Sequence, residues 1–163
     1  MGLNSVQLLA AKKNRQHHHH TSLTTAVVGP SKNEVLPNKP IISDHKLMIT
    51  PLQNSNEAHF VCAVLNSSIC RFLVDAYCIG TAISTHILEF IRVPRFDNKN
   101  SVHIKLSNCS ERAHKAKQSG DHKRLADIEN EIDSLAAGLW GISSSELHQI
   151  RINLGKTQIP HDD

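Results

Sequence analysis

The chain has 163 residues, of which 39% are hydrophobic but only 4% aromatic, and a formal charge of +3. That length suits one domain with a modest aliphatic core, or a small domain with a helical appendage. No apolar run approaches the ~18 residues of a membrane span, and the N-terminus lacks a signal-peptide core, so no membrane association and a cytoplasmic location are expected.

The charge is uneven along the chain. Residues 1–55 hold six Lys/Arg against two acids, whereas residues 101–163 hold eight against nine. An anionic partner is therefore expected to meet the first two thirds. Cys62, Cys70, Cys78 and Cys109 form no Cys-x-x-Cys pair, and the first three recur every eight residues within apolar sequence. Buried, reduced thiols fit that spacing better than a zinc knuckle or a disulfide framework.

Residues 1–40 read as a basic, loop-rich N-terminal segment. "AKKNRQHHHHTS" is polar and basic, and "GPSKNEVLPNKP" carries Gly29, Pro30, Pro37 and Pro40, so both predict mobile or loop-like chain around one short strand, Thr24 to Val28. The run His17 to His20 has no Cys or acid beside it to complete a metal site, and no metal is assigned to it.

From residue 41 the pattern sharpens. "HKLMITPL" predicts a strand over Lys46 to Thr50, closed by Pro51. "QNSNEAHFVCAVLNSS" predicts a helix capped by Ser55 or Asn56, with Glu57 in its first turn and Ala58, Val61, Cys62 and Leu65 on one face. A second helix follows Asn66-Ser67, with Ile69, Phe72, Leu73, Ala76 and Tyr77 in phase, and Gly80 ends it. In "THILEFIRVPRF" the alternation predicts a mostly buried strand, with Thr85, Ile87, Glu89 and Ile91 on one side and His86, Leu88, Phe90 and Arg92 on the other. Pro94 stops that strand, leaving Arg92 and Arg95 at its end.

The last third predicts helices. Val102, Leu106, Cys109, Ala113 and Ala116 step by four and three, as do Leu125, Ile128, Ile132, Leu135 and Leu139. Joined around Gly120, these seams make an antiparallel hairpin over Asn100 to Leu139. "SSSE" offers a capping box, Ser143 with Glu146, for a short helix carrying Leu147, Ile150 and Leu154. The tail "KTQIPHDD" is expected to fray. His59, His103, His114 and His148 take helical positions and are expected to be solvated or to cap, and Trp140 before Gly141 to anchor a helix end.

The expected fold class is thus α+β: a small mixed domain over residues 41–99, a helical hairpin and terminal helix over 100–154, and a flexible tail over 155–163. The blocks "KPIISDHKLMITPL", "EAHFVCAVLNSSICRFLVDAYCIGT", "ISTHILEFIRVPRFD" and "IDSLAAGLWGISSSEL", in that order, resemble the C-terminal target-recognition region of adenine-specific DNA methyltransferases. The likeness is greatest to the type IIG restriction-modification enzymes, in which methyltransferase and recognition parts share one chain. It covers about residues 26–154.

The resemblance implies that Asn66 to Ser68 and Ile91 to Phe96 belong to a scaffold lying against duplex DNA. It also implies that the hairpin is the helical spacer following such a domain, and that residues 41–99 are a partial recognition domain. Methyl transfer would need a Gly-rich loop for the methyl donor and an Asn/Asp-Pro-Pro-aromatic loop for the flipped adenine. The chain has neither a Pro-Pro nor a Gly-x-Gly, so no enzyme activity is expected of it alone. S-adenosylmethionine and magnesium enter only if it joins a catalytic partner.

Phosphates are met by Lys, Arg, hydroxyls and backbone N–H groups, and base edges by Arg, Asn or Gln. Lys46, Ser84, Thr85, His86, Arg92, Arg95 and Lys99 supply that chemistry at expected strand ends and loops. They are the candidate DNA-binding residues. Arg92 and Arg95 can instead be surface charges paired with Glu89 and Asp97. Other readings remain: a helical module docking a methyltransferase or restriction subunit, or an inert gene remnant.

Overall fold

The computed structural model describes residues 6–14, 21–30, 47–77 and 90–156. They form a mixed α+β fold that is mostly helical: strands β1 (Val6–Asn14), β2 (Thr21–Val28) and β3 (Leu47–Leu52), then helices α1 (Ser55–Asn66), α2 (Ser68–Tyr77), α3 (Ser101–Ser119), α4 (His122–Leu139) and α5 (Ser144–Lys156).

The strands make one antiparallel sheet in the order β2-β1-β3, with Leu8 opposite Val27 on one side and Thr50 on the other. This corrects the expectation of a loop-rich N-terminal segment. Part of the basic stretch, Ala11 to Asn14, lies in the central strand, and β2 begins three residues earlier than the Thr24 expected. The sequence "LLAAKK" has no strand propensity of its own; backbone pairing on both edges of β1 overrides local preference. Strand β3 runs through Pro51, which faces Gln7 of β1. Proline is tolerated there because β3 is an edge strand, where a missing N–H costs no ladder bond on the open side. Lys46 and the histidine run lie outside the described residues.

Helix α1 is the centre of the molecule. Its first turn is capped by Asn54, ahead of the expected Ser55 or Asn56: Asn54 Oδ1 accepts from the N–H of Asn56 (2.9 Å) and of Glu57 (3.4 Å). The expected face is buried at Ala58, Cys62 and Leu65 and half-buried at Val61, yet Phe60 and Val64 are buried too. The extra burial follows from packing on two sides, with the sheet on one and α3 on the other. Ser67 ends α1 and starts α2: its Oγ donates to the Val64 carbonyl (2.7 Å) and accepts from the Cys70 N–H (3.4 Å). No single helix among the described residues is long and apolar enough to cross a membrane; α1 and α2 together would be, but they bend by 58° at this point, and both bury faces in the core.

Helices α3 and α4 form the expected hairpin. Asn100 Oδ1 caps α3 through the Val102 N–H (2.9 Å), and Gly120, at φ 72°, closes it. There the Gly120 N–H meets the Lys117 carbonyl and the Asp121 N–H the Ala116 carbonyl, a Schellman end whose left-handed residue favours glycine. Asp121 then caps α4 through the Arg124 N–H (3.0 Å), so two residues turn the chain. Gly141, at φ 66°, repeats the device at the end of α4, where the Ile142 N–H reaches the Ala137 carbonyl. The capping box of α5 forms as expected: Glu146 Oε2 accepts from the Ser143 N–H (2.8 Å) and the Glu146 N–H donates to Ser143 Oγ (3.3 Å). The hydrogen bonds of Ser143 hold the Glu146 carboxyl below its usual range.

One apolar cluster joins Leu23 of β2, Phe60 and Val64 of α1, Val74 of α2, Ile91, Leu106 and Cys109 of α3, and Ile128 and Ile132 of α4. It draws on residues either side of positions 40 and 99. A smaller cluster of Ile69, Ala136, Ala137 and Leu147 fastens α5. Burial raises the thiol pKa of Cys62, and carries those of Cys70 and Cys109 to about 11, so these three are inert core residues as expected. Cys78 and residues 157–163 lie outside the described residues.

Candidate nucleic-acid interface

Residues Phe90 to Asn100 link the helices α1 and α2 to the hairpin. Residues 92–97 form no strand, which corrects the expected strand end; residues 78–89, including Ser84, Thr85 and His86, lie outside the described residues. The path is fixed all the same. Ile91 is buried, and Val93 and Phe96 pack against the main cluster. The Val93 N–H donates to the Ile91 carbonyl (2.8 Å), a three-residue turn that Pro94 then carries onward. The Trp140 indole N–H donates to the Arg92 carbonyl (3.2 Å), tying the segment to the far end of α4. Trp140 thus anchors packing as expected and holds this backbone as well.

The far end of the segment is held by His103. Solvation or capping is the expectation for this residue; it is buried, its ring lies tilted against Phe60 with centroids 4.5 Å apart, and its Nδ1 accepts from the Asp97 N–H (3.0 Å). Asp97 folds back on its own turn: Oδ1 accepts from the Lys99 N–H (2.9 Å) and its carbonyl from the Asn100 N–H (3.1 Å). Among the described residues the ion pairs are Arg112 with Glu131 and Arg151 with Asp133; neither Arg92 nor Arg95 forms one with Asp97 or any other described residue, and Glu89 lies outside the described residues.

Alternate residues of the segment therefore face opposite ways. Ile91, Val93 and Phe96 point inward, while Arg92, Arg95 and Lys99 are exposed. Three of the seven candidate residues are brought together on one braced stretch; the other four lie outside the described residues. Chemically, the stretch offers two guanidinium groups without an ion pair among the described residues and an ammonium, beside one carboxylate that bonds its own turn.

Two side chains that sequence reasoning placed elsewhere adjoin this stretch. Tyr77, expected on the buried face of α2, is 59% exposed, and Phe90, expected in a buried strand, is 64% exposed. Their rings stack, with centroids 5.4 Å apart and planes 3° from parallel.

Other polar groups are structural. Asn66 lies on the open edge of β2: its Oδ1 accepts from the Thr25 N–H (2.9 Å) and its Nδ2 donates to the Thr25 carbonyl (2.8 Å). Two positions along, the Val27 N–H donates to His114 Nε2 (3.1 Å), while His114 Nδ1 donates to the Ser110 carbonyl (2.7 Å). These bonds fix the tautomer and cover an edge that would otherwise invite pairing. His59 Nδ1 meets Ser110 Oγ at 3.0 Å and its ring stands edge-on to His114, 5.3 Å away. Burial, and then His114, lower the His59 pKa, with Glu111 opposing. His59 and His114 are thus bonded parts of the sheet–helix seam, neither solvated nor capping a helix, while His148 is exposed as expected. No group of three or more His, Cys, Asp or Glu that could hold a metal occurs among the described residues.

Comparison of the chain with protein-family models, with curated proteins and with solved structures finds no match.

Proposed function

We propose that the chain is a DNA target-recognition module that binds duplex DNA without catalysing methyl transfer by itself. It would be a small mixed recognition domain followed by a helical spacer, of the kind found beside adenine-specific methyltransferases in restriction-modification systems. The observation that carries this reading is the pair of exposed guanidinium groups, Arg92 and Arg95, without an ion pair among the described residues, on a backbone braced by Ile91, Trp140 and His103. Exposed cations on a fixed path suit phosphate contacts, which position a protein on DNA, with Lys99 as a third contact. No residue is assigned to S-adenosylmethionine or magnesium; those belong to a catalytic partner.

A module docking a methyltransferase or restriction subunit through the hairpin would have to use residues other than the seam. Ile128 and Ile132 are already buried in the chain's own core.

The test is fluorescence anisotropy of a random-sequence duplex titrated with the chain over a salt series. Phosphate contacts give a linear fall of log affinity with log salt, and Arg92→Ala with Arg95→Ala lowers the slope by roughly 1.8, about 0.9 per lost contact. No binding at low salt rejects the reading, and an unchanged slope removes this surface.

A further inference from the structure

The two large apolar side chains most exposed among the described residues are Tyr77 and Phe90, and they lie against each other. A stacked pair uses one face of each ring. Exposures of 59% and 64% leave the outer faces open to solvent, where an aromatic ring gains nothing for folding. Phe90 is two residues from Arg92, and both are exposed while the intervening Ile91 is buried. The stacked rings thus adjoin, along the chain, cations without an ion pair among the described residues. A flat π-face carried on a polyanion complements that combination: the base stacks on the ring while its phosphates meet the guanidinium groups. An acidic peptide would satisfy the cations but leave the rings unmatched, and an apolar protein surface would do the reverse.

We infer that Tyr77 and Phe90 form a stacking platform for an unstacked nucleobase of DNA held beside Arg92 and Arg95. The inference rests on the reading of this segment as a DNA-contacting surface. A fully stacked duplex presents no free base face, so the platform distinguishes DNA with a base out of the stack from DNA without one. A base already unpaired needs no energy to leave its neighbours, and stacking on an aromatic side chain then favours binding by about 5- to 140-fold. The exposed position of this pair puts it at the lower end.

The experiment uses the full chain with two short duplexes, one fully paired and one carrying a single unpaired 2-aminopurine. Anisotropy gives affinity, and 2-aminopurine emission reports stacking. The wild-type chain is expected to bind the second duplex at least about 5-fold more tightly and to quench its emission. Tyr77→Ala with Phe90→Ala abolishes both effects and leaves the salt slope unchanged, whereas Tyr77→Phe with Phe90→Tyr keeps them. Because both rings are more than half exposed, the alanine variant stays folded, as its circular dichroism would show. Equal wild-type affinity for the two duplexes, or quenching that survives the alanine pair, overturns the platform while the salt dependence still upholds DNA contact. Binding to neither duplex overturns the underlying reading. If sedimentation shows that the alanine pair instead dissolves a self-associated form, the patch is an interface between copies and the inference is wrong.

Discussion

Asp133 is the most consequential single carboxylate among the described residues, and its replacement gives a sharp test of how the helices are joined. Its side chain is 8% exposed and lies on α4, yet it caps a different helix. Oδ1 accepts from the Ser68 N–H (2.7 Å), Oδ2 from Ser68 Oγ (2.7 Å), and Oδ2 also from Arg151 Nε (3.0 Å). One group thereby fixes the start of α2, the middle of α4 and α5. Losing a helix cap costs about 1 kcal/mol, and a charge-assisted bond to a part-buried hydroxyl about 1.5–2. Arg151 is 35% exposed, so its ion pair is screened and adds only about 0.5–1.

Asp133→Ala is therefore expected to cost about 3–4 kcal/mol, or roughly 6–16 °C in thermal midpoint for a chain of this size. Asp133→Asn keeps an acceptor for Ser68 and is expected to cost about half as much. Arg151→Ala leaves both Ser68 bonds in place and is expected to cost about 1 kcal/mol. Urea unfolding followed by circular dichroism measures all three. An Asp133→Ala midpoint within about 0.5 kcal/mol of wild type, or an Arg151→Ala loss as large as that of Asp133→Ala, would refute the assignment of Asp133 as a shared cap.

Three further outcomes follow from the sheet–helix seam and the core. Asn66→Ala removes both bonds to Thr25 and is expected to cost about 1–3 kcal/mol, with faster hydrogen exchange at Thr25 as the diagnostic; protection unchanged there would contradict the edge cover. His59 has its pKa lowered from the ordinary 6.5 by burial, so the unfolded chain binds the proton more readily than the folded one. Stability from this group is present above about pH 6.5 and is lost as pH falls through that value toward the folded pKa; His59→Asn should flatten urea midpoints between about pH 5 and 7. At pH 8 a thiol reagent should leave Cys62, Cys70 and Cys109 unmodified until the chain is unfolded, as mass spectrometry of the labelled peptides would show.

What the sequence disclosed was whatever is encoded within a few turns. The hairpin seam was legible because Leu106, Cys109, Ile128 and Ile132 repeat at helical spacing, and the α5 cap because Ser143 and Glu146 are three residues apart. The caps at Asn54 and Asn100 are equally local, yet the α1 start was read one residue late because three polar residues in a row compete for the role. By contrast, Asn66 meets Thr25 across 41 positions and His114 meets Val27 across 87. No periodicity announces such bonds, and they are what gives strand β2 its covered edge. Asp133 sits beside Ile132 in a pattern that reads as an ordinary polar position, and only the arrival of Ser68 makes it a cap. At the candidate interface the sequence singled out Arg92 and Arg95. It did not disclose that the Asp97 carboxylate accepts from the Lys99 N–H and forms no ion pair with Arg95.

The most direct test of the central claim is a ¹⁵N-labelled titration of the chain with a short duplex, read amide by amide. The account predicts perturbations concentrated from Phe90 to Asn100, extending to Tyr77 and to the Trp140 indole that holds the Arg92 carbonyl, and fading as salt is raised. Perturbations confined to the outer faces of α3 and α4, or none at low salt, would contradict it.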